Sequence, residues 1–293
     1  MKIKVNALNS PPYKSLFYLN FCRICKNKIS VISLAIIGML VLMAIFGPIF
    51  APNNPFKISL IHRLEPPSFG YIFGTDNLGR CIFSRILYGS RWTLLAGTIA
   101  VLIGVAFGTF LGLLAGYLQG WIEKIIMIFI DLLLSLPYLI LVVVLTAILG
   151  PSLRSAMIAI GIWTIPYYAR VIRSQTLTLK KAEFVEAATM AGENNISILL
   201  RYILPNCISQ IIVLSTNSFA QAILMTAALG FLGLGAQPPL PEWGAMTAIG
   251  KEYVYIAPQT LFFPAFFICL NILAFNFLGD GLRDILDPRM RGM

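Results

Sequence analysis

The sequence predicts an all-α membrane protein with six transmembrane helices. Three observations predict it. Of 293 residues, 58% are apolar and only 12% are charged, about half the charge of an ordinary soluble domain. Six apolar stretches are each long enough to cross a bilayer. A backbone in lipid can satisfy its own polar groups only as a helix or a closed barrel.

The stretches are Ile29 to Phe50, Thr93 to Leu118, Ile125 to Leu149, Ser155 to Ile172, Cys207 to Leu234 and Thr260 to Gly279. The first follows Lys14, Arg23, Lys26 and Lys28. Its apolar core is too long for a signal-peptide h-region of about 7–15 residues, and no small-x-small site follows, so an uncleaved anchor is expected. Six crossings place both termini on one side. With the N-terminus inside, the inner segments hold 15 of the 22 Lys and Arg residues. That bias favours this orientation. The expected organisation is then an inner tail 1–28, a first helix 29–50, an outer loop 51–92, a five-helix core 93–280 and an inner tail 281–293. Within the core lie an inner loop 173–206 and an outer loop 236–258.

The net charge of +10 belongs to this inside bias; no basic run interleaved with aromatics on a polar face suggests nucleic acid. Cys22 and Cys25 have CxxC spacing, but no second pair or His cluster completes a zinc site. Cys207 and Cys269 sit in apolar segments, where Cys acts as a small hydrophobe. No metal and no cofactor is expected on this chain. No GxxxxGK[ST] occurs, so the chain cannot cradle a nucleotide as a P-loop does.

In the second stretch Gly104, Gly108, Gly112, Gly116 and Gly120 recur every four residues. They share one helical face, which lets another helix approach closely in lipid. In the fifth stretch Gln210, Asn217 and Gln221 fall at i, i+7 and i+11, again one face. Such a face must meet protein or water. It reads equally as a wall of a translocation path or as hydrogen bonds to neighbouring helices. Asp131 is the acidic residue well inside a predicted crossing, about 10 Å beyond Lys124 at 1.5 Å per residue. It needs a partner, and a carboxylate tied to another helix is the favoured reading over a proton relay or a solute contact.

The outer loop, opened by Pro52, Pro55, Pro66 and Pro67, carries an unusual share of basic residues. Thr75 or Asp76 can cap a helix running to about Ser90, with Ile82, Phe83, Ile86 and Leu87 as its apolar stripe and Arg80 and Arg85 off it. That helix is expected to lie at the outer interface. Gln237 to Tyr255, with Trp243, Tyr253 and Tyr255, is read as a second interfacial segment. His62 is read as solvated.

The inner loop has strong helix formers from Lys180 up to Gly192, a natural stop. Asn194, Asn195 or Ser197 can cap a second helix, Ile196 to Ile203, which Pro205 is expected to close. Loops this long with structure of their own usually carry function.

Glu186-Ala187-Ala188, then Gly192, then Leu204-Pro205 resembles the EAA loop of ABC importer permeases. Three further stretches resemble the C-type permease subunit of the dipeptide/oligopeptide/nickel type. They are Phe73-Gly-Thr-Asp-Asn-Leu-Gly-Arg80 with Ser84-Arg85 and Gly89-Ser-Arg91; Leu229 to Pro239 with Glu242-Trp-Gly244; and Phe275 to Pro288. Cys81 stands where the family usually has Asp, and Tyr202 where this branch often has His. The resemblance implies a type I ABC importer-like permease fold with cytoplasmic EAA coupling helices. It implies a bacterial inner-membrane subunit that passes di- or oligopeptides, or another small solute such as a nickel chelate, inward. It implies a homologous second permease subunit, two cytoplasmic ATPase subunits that use ATP and Mg, and an external substrate-binding protein. Glu186, Ala187, Ala188, Gly192, Leu204 and Pro205 are then the ATPase-coupling residues. A lone exposed ion pair from Glu186 would add at most about 1 kcal/mol, so coupling is expected to rest on shape, with small Ala187 and Ala188 permitting close contact. A secondary transporter would need its own coupling site and usually inverted repeats. An intramembrane enzyme would need a catalytic motif, and neither HExxH nor GxSxG occurs.

Overall fold

The computed structural model describes residues 27–286. The Cys22–Cys25 spacing, most of the N-terminal tail and residues 287–293 of the C-terminal tail lie outside the described residues. Within them every long element is helical: α1 Lys28–Phe50, α2 Ile82–Leu118, α3 Gly120–Ser135, α4 Tyr138–Leu149, α5 Leu153–Leu179, α6 Glu183–Met190, α7 Asn195–Phe231, α8 Trp243–Gly250 and α9 Gln259–Leu286. Helices α1, α2, α5, α7 and α9 are each long and apolar enough to cross a membrane. Helices α3 and α4 pass that test together, bent by 94° at the break between them. Leu136 there is extended, as a residue before proline must be, and Pro137 offers no N–H to continue the helix. The third apolar stretch is thus two half-helices rather than one straight rod.

The helices alternate direction. Gly281 near the end of α9 lies against the Ser30 side chain near the start of α1. At the same end, Lys180 Nζ donates to the carbonyl of Tyr117 at 2.7 Å, and the Tyr117 hydroxyl donates to Asn195 at 2.9 Å. The opposite end is built from residues 51–81 and 232–258. Gln259 Nε2 donates to the Glu65 carbonyl there, at 3.1 Å.

Four of the glycines do one job. Helix α2 runs through a π-turn at Gly104–Gly108 and packs its glycine face on α5. A Cβ on Gly108 would stand 2.5 Å from that of Tyr168, on Gly112 2.7 Å from the Ala169 carbonyl, and on Gly116 2.6 Å from the Thr176 Cβ; on Gly104 it would strike the Thr164 side chain. Gly120 does not share this face: it opens α3, with open space around it.

The outer loop differs from its sequence reading. No separate interfacial helix forms. The helix starts at Ile82 and runs on as α2, with Ile82, Arg85 and Ile86 buried. Its charges are met from within. Asp76 Oδ1 accepts from the Leu78 and Arg80 amides, its Oδ2 accepts from Arg80 Nε at 2.7 Å, and Arg85 Nε stands 3.5 Å away. Arg85 also donates to the Pro55 carbonyl at 3.1 Å. Thr75 caps nothing; it pairs with Cys81 through the backbone and bonds to the His62 carbonyl. His62 pairs with Glu65 at 2.8 Å. Trp243, expected at an interface, is wholly buried and donates to the Ile86 carbonyl at 3.1 Å, whereas Tyr255 is fully exposed.

Candidate functional site

The inner loop of the sequence folds into a projecting helix pair. Apolar Val185 and Ala188, at i and i+3, turn inward onto Ile198, Ile203, Ile172, Leu113 and Tyr117. That stripe fixes α6 to the bundle. The expectation that Ala188 offers a small surface to a partner is therefore corrected: Ala188 is buried within its own chain, and Ala187 is the exposed one. Helix α6 ends in a Schellman turn. Gly192 N donates to the Thr189 carbonyl at 3.1 Å and Glu193 N to the Ala188 carbonyl at 3.2 Å. Gly192 takes φ +82°, in the left-handed region that a side chain resists. Asn194 then caps α7, accepting from Ser197 N at 2.6 Å.

Pro205 does not close a second short helix. Residues Asn195–Ile198, a π-turn Leu199–Ile203 and Leu204–Phe231 run as one rod. Pro205 sits where the hydrogen-bond pattern changes, at the first positions of the new α-helical register, so its missing N–H is tolerated. Leu204 is half-buried and Pro205 exposed.

On the outside of this pair stand Phe184, Glu186, Met190, Ile196 and Leu200, all exposed. Met190 is 88% and Ile196 69% exposed. Glu186 is among the residues the sequence points to; the apolar Phe184, Met190, Ile196 and Leu200 are not. Their signal was the amphipathic spacing: whatever does not pack with Val185 and Ala188 must face away.

The second candidate region lies on the spans. Gln210, Asn217 and Gln221 are all exposed, and Gln221 Nε2 donates to Asn217 Oδ1 at 3.3 Å. Asp131, on α3, meets Arg170 of α5: Arg170 Nη2 donates to Asp131 Oδ1 at 2.6 Å. Nearer the α6 end, Glu123 of α3 pairs with Arg173 of α5. Local spacing does not single out Arg170 as this partner; its pairing depends on how α3 leans on α5. On α5, Tyr167, Arg170, Ser174 and Thr178 are exposed at i, i+3, i+7 and i+11, the same kind of stripe as on α7. Among the described residues no group of three or more His, Cys, Asp and Glu stands together to hold a metal.

A bundle of crossing helices with exposed polar residues along two of them and a helix pair projecting from one end fits a membrane transport subunit. Comparison with known proteins is specific. The chain belongs to the family described as binding-protein-dependent transport system inner membrane component, whose model matches residues 108–292. Residues 15–67 match the N-terminal TM domain of oligopeptide transport permease C. Among relatives, the dipeptide transport system permease protein DppC of Alkalihalophilus pseudofirmus is 44% identical over 97% of this chain and 95% of its own. The glutathione transport system permease protein GsiD of Shigella flexneri is 46% identical over 87% of this chain and 84% of its own. The inward-facing MetNI methionine ABC transporter shares the fold at a TM-score of 0.55 and 19% identity, over 68% of this chain and 95% of that one.

Proposed function

We propose that this chain is one of two homologous membrane subunits of an ATP-driven importer in the bacterial inner membrane, and that it passes di- or oligopeptides or glutathione-like solutes inward. Two separate ATPase subunits bind the α6 side, which is the cytoplasmic one and holds both termini. A substrate-binding protein delivers solute at the end formed by residues 51–81 and 232–258. The observation that carries this reading is the projecting pair of α6 and the start of α7, with Phe184, Met190, Ile196 and Leu200 facing away from their own bundle around Glu186. Apolar residues exposed together mark a protein contact. The names of the relatives support the solute class. In this reading Glu186 and Ala187 touch the ATPase, Ala188 holds the helix in place, and Gly192 sets the angle between the two coupling segments. Gln210, Asn217, Gln221 and Asp131 line the path, and Gly104, Gly108, Gly112 and Gly116 lock α2 to α5.

The test is reconstitution of the permease pair, ATPase subunits and binding protein into liposomes, with wild type and Gly192→Pro. Proline cannot adopt φ +82° and removes the N–H that Thr189 accepts. Wild type should take up dipeptide only with ATP. Gly192→Pro should insert normally but lose uptake and ATPase co-purification. Uptake by the permease without ATPase subunits would overturn the reading, as would full coupling in the proline variant.

A further inference from the structure

The polar stripes on α5 and α7 belong to a single surface. The Tyr168 hydroxyl and the Ser215 hydroxyl lie 3.2 Å apart, so these two residues point at one another and set the register of the helices. At 100° per residue, the stripe of Tyr167, Arg170, Ser174 and Thr178 is centred about 115° round α5 from Tyr168. The stripe of Gln210, Asn217 and Gln221 is centred about 140° round α7 from Ser215, in the same sense along the chain. Because the helices are antiparallel, equal turns in the same chain sense bring both stripes to the same side of the pair. The levels also agree: Arg170 lies about 3 Å, and Gln210 about 8 Å, toward the α6 end from the Tyr168–Ser215 contact.

Asp131 reaches this surface from α3. The ion pair it makes with Arg170 has side chains 58% and 52% exposed, although both helices belong to membrane crossings. Charges so exposed at such depth cannot face lipid and must face water or protein. Every other residue of the two stripes is uncharged. The neighbouring Glu123–Arg173 pair is the more enclosed, at 19% and 31%, and Arg173 lies at a different angle on α5.

We propose that Asp131 and Arg170 form a solute-binding site for the two charged termini of a short zwitterionic peptide such as a dipeptide, which exchange partners with this ion pair during passage. The proposal rests on the permease reading above. At neutral pH an unblocked peptide carries an ammonium and a carboxylate whatever its side chains. Asp131 matches the first and Arg170 the second. The exchange turns one protein ion pair into two protein–solute pairs and leaves no charge unmatched. Between solutes the pair closes on itself, so no lone charge is stranded at membrane depth. Half-exposed ion pairs are held weakly, which suits a site that must also release. The uncharged remainder of the surface imposes no charge selection on peptide side chains.

The test uses the complete complex in proteoliposomes, with Asp131→Asn, Arg170→Gln and the control Glu123→Gln. Uptake of a dipeptide, its N-acetyl form and its C-amide form is measured, each relative to wild type, together with ATP hydrolysis. Asp131→Asn should lower uptake of the dipeptide and the amide about tenfold and spare the N-acetyl form. Arg170→Gln should spare the amide instead. Tenfold is the size expected of one charge-assisted hydrogen bond. ATPase stimulation by loaded binding protein should persist in both, so dipeptide moved per ATP falls. That second readout decides the matter even if the binding protein admits only the unblocked dipeptide. Glu123→Gln should lower thermal stability without changing solute preference. Equal loss of uptake for all solutes with a parallel loss of ATPase stimulation would mean a merely structural staple and overturn the proposal, as would unchanged dipeptide uptake in both variants. Failure of the permease reading looks different: the wild-type complex would then move none of the solutes.

Discussion

Cys81 stands immediately before α2, 2% exposed and with no side-chain hydrogen bond to the helix it precedes. It follows Arg80 and comes one turn before Arg85, and those two guanidinium groups share the single carboxylate of Asp76. Cys81→Asp would add an N-cap acceptor, worth about 1 kcal/mol, and a second carboxylate beside this basic cluster. The melting temperature of the purified protein should rise by about 2–4 °C; a fall would mean that the thiol is held by packing an aspartate cannot match. The same cluster shows what one-dimensional reading misses. Arginines in a loop between crossings look solvated, and Arg80 and Arg85 were placed off the apolar stripe. Their burial depends on a chain reversal that brings Asp76 and the Pro55 carbonyl to them, which no local spacing reveals. Asp131 was legible as needing a partner, because a carboxylate in an apolar run is costly wherever the run folds. That the partner is Arg170 was not.

At the scale of elements, periodicity carried the most. A glycine every fourth residue marked the contact face of α2, and Gly192 marked the end of α6. Replacing Gly112 by Val would drive a side chain into the Ala169 carbonyl, 2.7 Å from where its Cβ must stand. Overpacking of this kind costs about 1–3 kcal/mol. Gly112→Val should lower the yield of folded protein and its melting temperature, while Gly38→Ala in α1, with open space around it, should leave both unchanged. Equal behaviour of the two variants would contradict the packing account. The prolines were less legible. Pro205 looked like a stop but sits within a continuous rod beyond a π-turn, and Pro137 breaks a crossing whose apolar run showed no gap. A proline's effect depends on whether neighbouring turns can reassign its missing hydrogen bond.

Helix α8 adds a pH dependence. Glu242 caps it, accepting from Gly244 N at 2.8 Å and Ala245 N at 2.9 Å, with Thr93 donating at 3.3 Å. Burial pushes its carboxyl above the ordinary value of 4.5, and these three donors offset that only in part. The folded chain therefore holds the proton more tightly than the unfolded one. The contribution to stability is fully present below 4.5 and declines as pH rises from there to the raised value. In detergent, the wild-type melting temperature should fall over that interval relative to Glu242→Gln, whose slope should be flatter. A wild-type melting temperature that rises relative to the variant would contradict it.

At the scale of the whole molecule, the two ends are unlike and the polar face runs between them. One end is a loop cluster tied by Asp76, Glu65 and Gln259. The other projects a helix pair whose inner side is packed and whose outer side carries exposed Phe184, Met190, Ile196 and Leu200. Six apolar runs and the EAA pattern made this division legible in the sequence. Which residues of the pair face outward became clear only when Val185 and Ala188 were seen to pack inward. The central claim is that this outward side is the cytosolic grip of a separate motor. It is tested most directly by Met190→Cys in a cysteine-free background, in membranes holding the complete complex. The account predicts crosslinking to an ATPase subunit, with loss of ATP-driven uptake on crosslinking and recovery on reduction. Labelling of that cysteine by an impermeant maleimide added from outside intact cells, with no crosslink to the ATPase, would contradict it.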